Sequence, residues 1–171
     1  MKSSRTTTVT REAMIGGVLA FILLAVLAFT FLPGIFFWAT TPKPAEVAAR
    51  EGAQAILSID TDKDREAWES DVCKVSNGPG CAVFKSTFAA MIWSGAERNS
   101  LRQSCQTTDA NLVKTIKGEE VARQAWSVKL DCRNIQTDEI SAGEVLAFVV
   151  QVGDGWKFER IAFEEEINNA K

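Results

Sequence analysis

The sequence has no histidine and no tyrosine among its 171 residues. Without histidine it can form neither a Ser-His-Asp nor a Cys-His arrangement, and without tyrosine it has no phenol to stabilise an oxyanion. A carboxylate acting alone is the remaining general acid or base. Asp109, Asp131 and Glu144 are the candidates in strand-rich segments, and we interpret them as solvated surface acids. The composition therefore predicts a protein that is not an enzyme and that has no cofactor.

The sequence also lacks the usual metal-binding patterns. Structural zinc sites are mostly built from close C-x-x-C pairs and histidines, and neither is present. Residues 60–71 carry acids at alternate positions, as a calcium loop does, but Arg65 stands where that loop needs glycine. Asp71 is shorter than the bidentate glutamate that usually closes such a loop. We interpret the segment as the start of a helix with Thr61 or Asp62 as its N-cap.

A basic stripe is missing as well. Residues 41–171 carry 16 basic and 21 acidic side chains, and no run of lysine and arginine alternates with aromatic residues. Nucleic-acid-binding surfaces are strongly basic because they neutralise phosphates. We therefore expect no direct contact with nucleic acid.

One long apolar run, residues 14–38, contains no charged side chain. A helix needs about 20 apolar residues to cross the hydrocarbon core of a bilayer. A cleaved signal peptide is the alternative, but its apolar region normally has only about 7–15 residues. We predict an uncleaved transmembrane helix over 14–38, with a tail at 1–13 and a linker at 39–44.

The charges around this run predict its orientation. The tail carries Lys2, Arg5 and Arg11 against a single acid, Glu12. Basic residues next to a first span are retained in the cytoplasm. We therefore predict a single-pass protein of the cell membrane with a cytoplasmic amino terminus and an extracytoplasmic domain at 45–171.

The four cysteines all follow the predicted span, where oxidising conditions permit disulfides. Cys73 and Cys81 bracket the turn sequence Asn-Gly-Pro-Gly, so a local bridge between them is sterically easy. That leaves Cys105 and Cys132, both in strand candidates. Three pairings are formally possible, and we predict Cys73–Cys81 with Cys105–Cys132.

The rest of the domain shows helical spacing first and strand alternation afterwards. Helices are predicted at residues 44–59, 62–72 and 82–94. Strand candidates are residues 101–109, 112–116, 120–133, 145–152 and 156–163. The clearest alternation places Trp126, Val128 and Leu130 on one side of a strand, and Gly153-Asp-Gly155 is a hairpin signal. Helices followed by antiparallel strands predict an α+β domain.

The closing sequence Gly153-Asp-Gly-Trp-Lys-Phe-Glu-Arg-Ile161, after three helices and a meander, resembles the nuclear-transport-factor-2-like (cystatin-like) family. The resemblance implies a cone-like domain of about three helices packed on a curved antiparallel sheet. A single span before such a domain also resembles three groups of proteins. They are VirB-type conjugation scaffold proteins, Mce-associated membrane proteins and accessory subunits of actinobacterial envelope complexes.

The resemblance implies a non-enzymatic accessory or scaffold subunit of a cell-envelope complex, serving conjugative secretion, Mce transport or respiratory assembly. Its partners would be other membrane subunits, and a homo-oligomer is possible. We expect the small residues Gly16, Gly17 and Ala20 to let the span pack against other helices. Trp68 and Trp93 are the candidates for a partner-facing patch. The alternative function is a binder of a small apolar or lipid ligand in the cone cavity.

Overall fold

The computed structural model describes most of the chain after the predicted span. The described residues are 43–116, 121–163 and 165–166. They belong to one compact unit, Pro42–Lys171. The predicted tail and span lie outside the described residues. Within the described ranges, no helix is both long enough and apolar enough to cross a membrane.

The described residues form an α+β domain with the helices first, as the sequence predicts. The helical elements are α1 (Pro44–Leu57), α2 (Arg65–Val75), α3 (Gly78–Val83), a π-helical turn (Phe84–Phe88) and α4 (Ala89–Arg98). The strands are β1 (Gln103–Ile116), β2 (Arg123–Asn134), β3 (Ile140–Val152) and β4 (Gly155–Ala162). Because α3, the π turn and α4 follow one another without a break, they form the third predicted helix, which is longer than expected.

The sheet is an antiparallel meander in the order β1-β2-β3-β4. The predicted alternation in β2 is confirmed, since Trp126, Val128 and Leu130 are all buried. The strand candidates 101–109 and 112–116 are in fact one strand, β1. Bulges after Thr107 and after Leu112 shift its register against β2 and break the alternation that would have joined them.

Helix α1 covers the inner face of the sheet with a stripe of small residues. Its buried side is Ala45, Ala48, Ala49, Gly52, Ala53 and Ile56. Gly52 lies directly on the ring of Phe158 from β4, so close that a β-carbon there would lie 2.1 Å from the ring. The small side chains let the helix approach the sheet closely, and the space between them is filled.

Both predicted disulfides are present. Cys73 of α2 is bonded to Cys81 of α3, with their Cα atoms 4.9 Å apart. Cys105 of β1 is bonded to its cross-strand partner Cys132 of β2. The described residues hold no free cysteine. Two disulfides in a domain of this size fit an extracytoplasmic location.

The predicted N-cap of α2 is wrong by two or three residues. The helix begins at Arg65 and its N-cap is Asp64. The upstream acids have another role, because Arg102 forms ion pairs with Asp60 at 2.9 Å and with Asp62 at 2.6 Å. These contacts hold the α1–α2 connection against the start of β1, so the chain turns before the helix starts.

The ion pair between Asp60 and Arg102 predicts that the stability of the fold depends on pH. Burial alone would raise the pKa of Asp60, but hydrogen bonds from Arg102 and the Asp62 amide, with the charges of Arg102 and Lys63, lower it below its ordinary 3.8. Because this pKa is lower in the folded than in the unfolded protein, ionised Asp60 stabilises the fold at pH values above its ordinary pKa. The stabilisation is lost as the pH falls through the lowered pKa of the folded protein. We expect Asp60→Asn to lower the urea midpoint at pH 7 and to converge with wild type as the pH falls below the lowered pKa of Asp60. Parallel pH curves for the two proteins would contradict this role, and Arg102→Gln should reproduce the effect.

Candidate functional site: an apolar groove

The structure corrects the prediction that Trp68 and Trp93 face a partner. Each ring is only 6% exposed. They pack on each other with their centroids 5.6 Å apart, and Phe84 meets Trp68 edge-on at 5.1 Å. Both indole N–H groups are satisfied inside the domain, donating to the Ala55 carbonyl and to Glu97. The two tryptophans belong to the domain's own core, so neither is available as an exposed anchor.

Of the other predicted residues, Gly16, Gly17 and Ala20 lie outside the described residues. The structure places Asp109 and Glu144 in one cross-strand row, on either side of Lys129. All three are exposed, and opposite charges side by side stabilise a sheet. Asp131 is exposed two residues farther along β2. Among the described residues, no three acidic or cysteine side chains are grouped to hold a metal ion.

An open apolar groove lies between the helices and β4. Its volume is about 480 Å³. The end of α1 contributes Ile56 and Leu57, and Phe158 and Ile161 of β4 form the opposite side. The helical wall and the rim are formed by Val83, Phe84, Phe88, Met91, Ile92 and Phe163. We call this feature the apolar groove.

The π turn shapes the helical wall of the groove. The sequence places Phe84, Phe88, Met91 and Ile92 on one face of a helix, which predicts a core contact. All four line the groove, but only Phe84 is fully buried, while Met91 is 64% exposed. A π turn accommodates one extra residue within a helix, and such turns are frequent at functional sites. The predicted apolar stripe is therefore confirmed, but the sequence did not reveal that the outer residues of the stripe are exposed to solvent.

Apolar side chains continue beyond the groove onto its rim. Val83 is 46% exposed and Phe163 is 68% exposed. Isolated exposed apolar residues are ordinary, but apolar residues that adjoin one groove form a continuous surface. This surface is the part of the described domain best suited to contact another apolar molecule.

The described lining of the groove includes two charged side chains, and each has a partner. Glu159 pairs with Arg123 at 2.7 Å. Arg160 pairs with Glu166 at 2.7 Å and stacks on the ring of Phe148. The Phe163 amide and Arg160 both donate to Glu166, and these hydrogen bonds lower the pKa of that carboxyl. Among the described residues, the groove therefore presents an apolar surface beside which Glu159 and Arg160 are both compensated from within the domain.

Comparison with known proteins gives a likeness of fold. The structure is similar to that of a periplasmic fragment of TraM, with a TM-score of 0.52 and 11% sequence identity. The similarity covers 71% of this chain and 96% of that chain. No protein-family model matches the sequence, and no curated protein matches it significantly. At 11% identity the likeness concerns the fold alone.

Proposed function

We propose that the chain is a non-enzymatic accessory or scaffold subunit of a cell-envelope complex, anchored by residues 14–38. In this proposal the domain lies outside the cytoplasm, and it contacts another subunit through the apolar groove. The groove is the observation that carries the proposal. Its apolar lining and its exposed rim residues leave a surface that an additional apolar element would cover.

Two further observations support an extracytoplasmic subunit. Both cysteine pairs are oxidised, as is usual outside the cytoplasm. The domain also shares its fold with a fragment described as periplasmic. The three settings implied by the sequence resemblance remain part of the proposal: conjugative secretion, Mce transport and respiratory assembly.

The charges of the groove favour an uncharged segment of a partner protein as its occupant. Glu159 and Arg160 are each paired within the domain. A lipid with a charged head group would need a counter-charge, and recruiting one would require breaking such a pair. An uncharged apolar segment, such as one face of a partner helix, needs no such change.

A binder of a small apolar ligand is the second candidate function. The groove volume of about 480 Å³ lies within the range of sites for small molecules, roughly 300–1,000 Å³. The space between α1 and the sheet is filled by contacts such as that of Gly52 with Phe158. A ligand would therefore lie in the groove rather than under α1.

Purification of the tagged full chain in mild detergent tests the proposed function. We expect defined membrane subunits to co-purify with wild type and to be reduced at least about tenfold with Val83→Asp, since a charge in the groove disfavours an apolar contact. Val152→Asp is the matched control, because Val152 is 53% exposed in the β3–β4 hairpin and does not line the groove. It should retain the same partners.

The identity of the co-purified subunits then distinguishes the settings. Secretion ATPases would indicate conjugation, Mce proteins lipid import, and oxidase or cytochrome subunits a respiratory assembly. Equal recovery with both variants would refute the groove as the contact. A lipid found with the wild-type protein, but no protein partner, would favour the ligand binder instead.

A further inference from the structure

The Cys73–Cys81 disulfide lies at the helical wall of the groove. Cys81 directly follows Gly80 and is two residues before Val83, and both of these neighbours line the groove. Cys73 is in the last turns of α2, which packs into the tryptophan core. The bond therefore joins the groove wall to α2, whose Trp68 and Val72 are buried in that core.

Few other contacts hold the helical wall of the groove in place near Gly80. Asn77 donates its amide to the Phe158 carbonyl at 2.8 Å and accepts the Gly80 amide on its side chain at 2.8 Å. Gly80 lies so close to β4 that a β-carbon would be 2.4 Å from the Glu159 carbonyl. Helix α3 is the first six residues of the continuous helical segment formed with the π turn and α4, and the end of a helix is where it opens most easily. The disulfide and these hydrogen bonds therefore hold the first residues of this helical segment to α2 and β4, while Phe84 fixes its continuation in the tryptophan core.

The two disulfides differ in how a reductant can reach them. Cys73 and Cys81 are both partly exposed, whereas in the other disulfide only Cys132 is partly exposed and Cys105 is 1% exposed beneath α1. Thiol–disulfide exchange requires a thiolate to reach one of the sulfur atoms. A dithiol reductant should therefore open Cys73–Cys81 before Cys105–Cys132.

We propose that Cys73–Cys81 is a redox-sensitive latch that holds the groove in its binding form; this inference rests on the proposed function of the groove. A dithiol attacks one sulfur and forms a mixed disulfide, and its second thiol then releases the protein. Two electrons and two protons pass to Cys73 and Cys81, which become thiols, while the reductant becomes a disulfide. The wall from Gly80 to Val83 then loosens from β4 and the groove binds less tightly, while Cys105–Cys132 stays intact.

Binding of the uncharged dye Nile red to the full chain in mild detergent tests the latch. Titration with a dithiol, with the free thiols mapped by mass spectrometry, separates the two disulfides. We expect the dissociation constant to rise at least about tenfold when Cys73–Cys81 opens, and to recover on reoxidation. The double variant Cys73→Ser/Cys81→Ser should bind as weakly as the reduced protein. Val83→Asp gives the level of binding without the groove.

Amide hydrogen exchange gives a second measurement that does not depend on the dye. Exchange across residues 78–88 should rise on reduction, while β2 and β3 remain protected. Unchanged exchange and unchanged binding after reduction, with Val83→Asp still defective, would refute the latch but leave the groove function standing. Binding by oxidised wild type no stronger than by Val83→Asp would refute the groove function and the latch with it. Reduction of Cys105–Cys132 first would also overturn the proposal.

Discussion

Replacing Trp68 with alanine is expected to lower the free energy of unfolding by about 3–5 kcal/mol, as truncation of a large buried aromatic side chain usually does. The ring is 6% exposed and lies between Phe84 and Trp93. Its indole N–H donates to the Ala55 carbonyl of α1 at 3.2 Å. The substitution would therefore remove the contact that joins α1, α2 and the helical wall of the groove.

Urea unfolding of the full chain in mild detergent, followed by circular dichroism, measures this loss. Phe163→Ala is the control, because that aromatic ring is 68% exposed and surface substitutions usually change stability by less than about 0.5 kcal/mol. If Trp68→Ala kept its stability and lost a protein partner, the ring would be an interface residue after all, and its observed packing would not matter for folding.

The error about the two tryptophans shows what the sequence could not reveal. Helix α2 has only two fully buried side chains, Trp68 and Val72. Such a weak apolar stripe fits equally well with a core contact and with a surface patch. The position of Phe84, sixteen residues later, decides between them, and that is a tertiary contact which periodicity does not encode.

The predictions were most accurate in segments where a single sequence pattern, such as strand alternation or a turn sequence, continued without interruption. β2 alternates regularly, and its residues Trp126, Val128 and Leu130 are buried on one side as predicted. The turn sequence between Cys73 and Cys81 led to the correct disulfide pairing. β1 was predicted as two separate strands because bulges, which follow no fixed sequence pattern, interrupt its alternation.

The groove was missed for a different reason. Its helical stripe was identified correctly, but a stripe shows which side chains share a face, and not how much of that face another element covers. Val83 and Met91 remain exposed because β4 and the end of α1 cover only part of the helical wall. The π turn also has no recognisable signal in the residues Phe84–Phe88. Candidate contact surfaces of this kind depend on the packing of whole elements.

Two glycines in helices provide a matched test of the packing between α1 and the sheet. Glycine inside a helix costs roughly 1 kcal/mol relative to alanine, so its presence in α1 needs a reason. At Gly52 a β-carbon would lie 2.1 Å from the Phe158 ring and 2.5 Å from its Cβ. At Gly95 of α4 a β-carbon would meet nothing within 4 Å. The same substitution should therefore have opposite effects at the two positions.

We expect Gly52→Ala to lower the free energy of unfolding by about 3 kcal/mol, at the upper end of the usual cost of overpacking, because the new β-carbon would overlap both the ring and the Cβ of Phe158, and rotating the ring does not move that Cβ. Gly95→Ala should raise the stability by about 0.4–1 kcal/mol by restricting the unfolded chain. Urea midpoints of the two variants and of the pair combined measure both effects, which should add because the sites share no contact. A stabilising Gly52→Ala would mean that α1 does not lie directly on Phe158, and a ligand chamber beneath α1 would then become the better explanation of the fold.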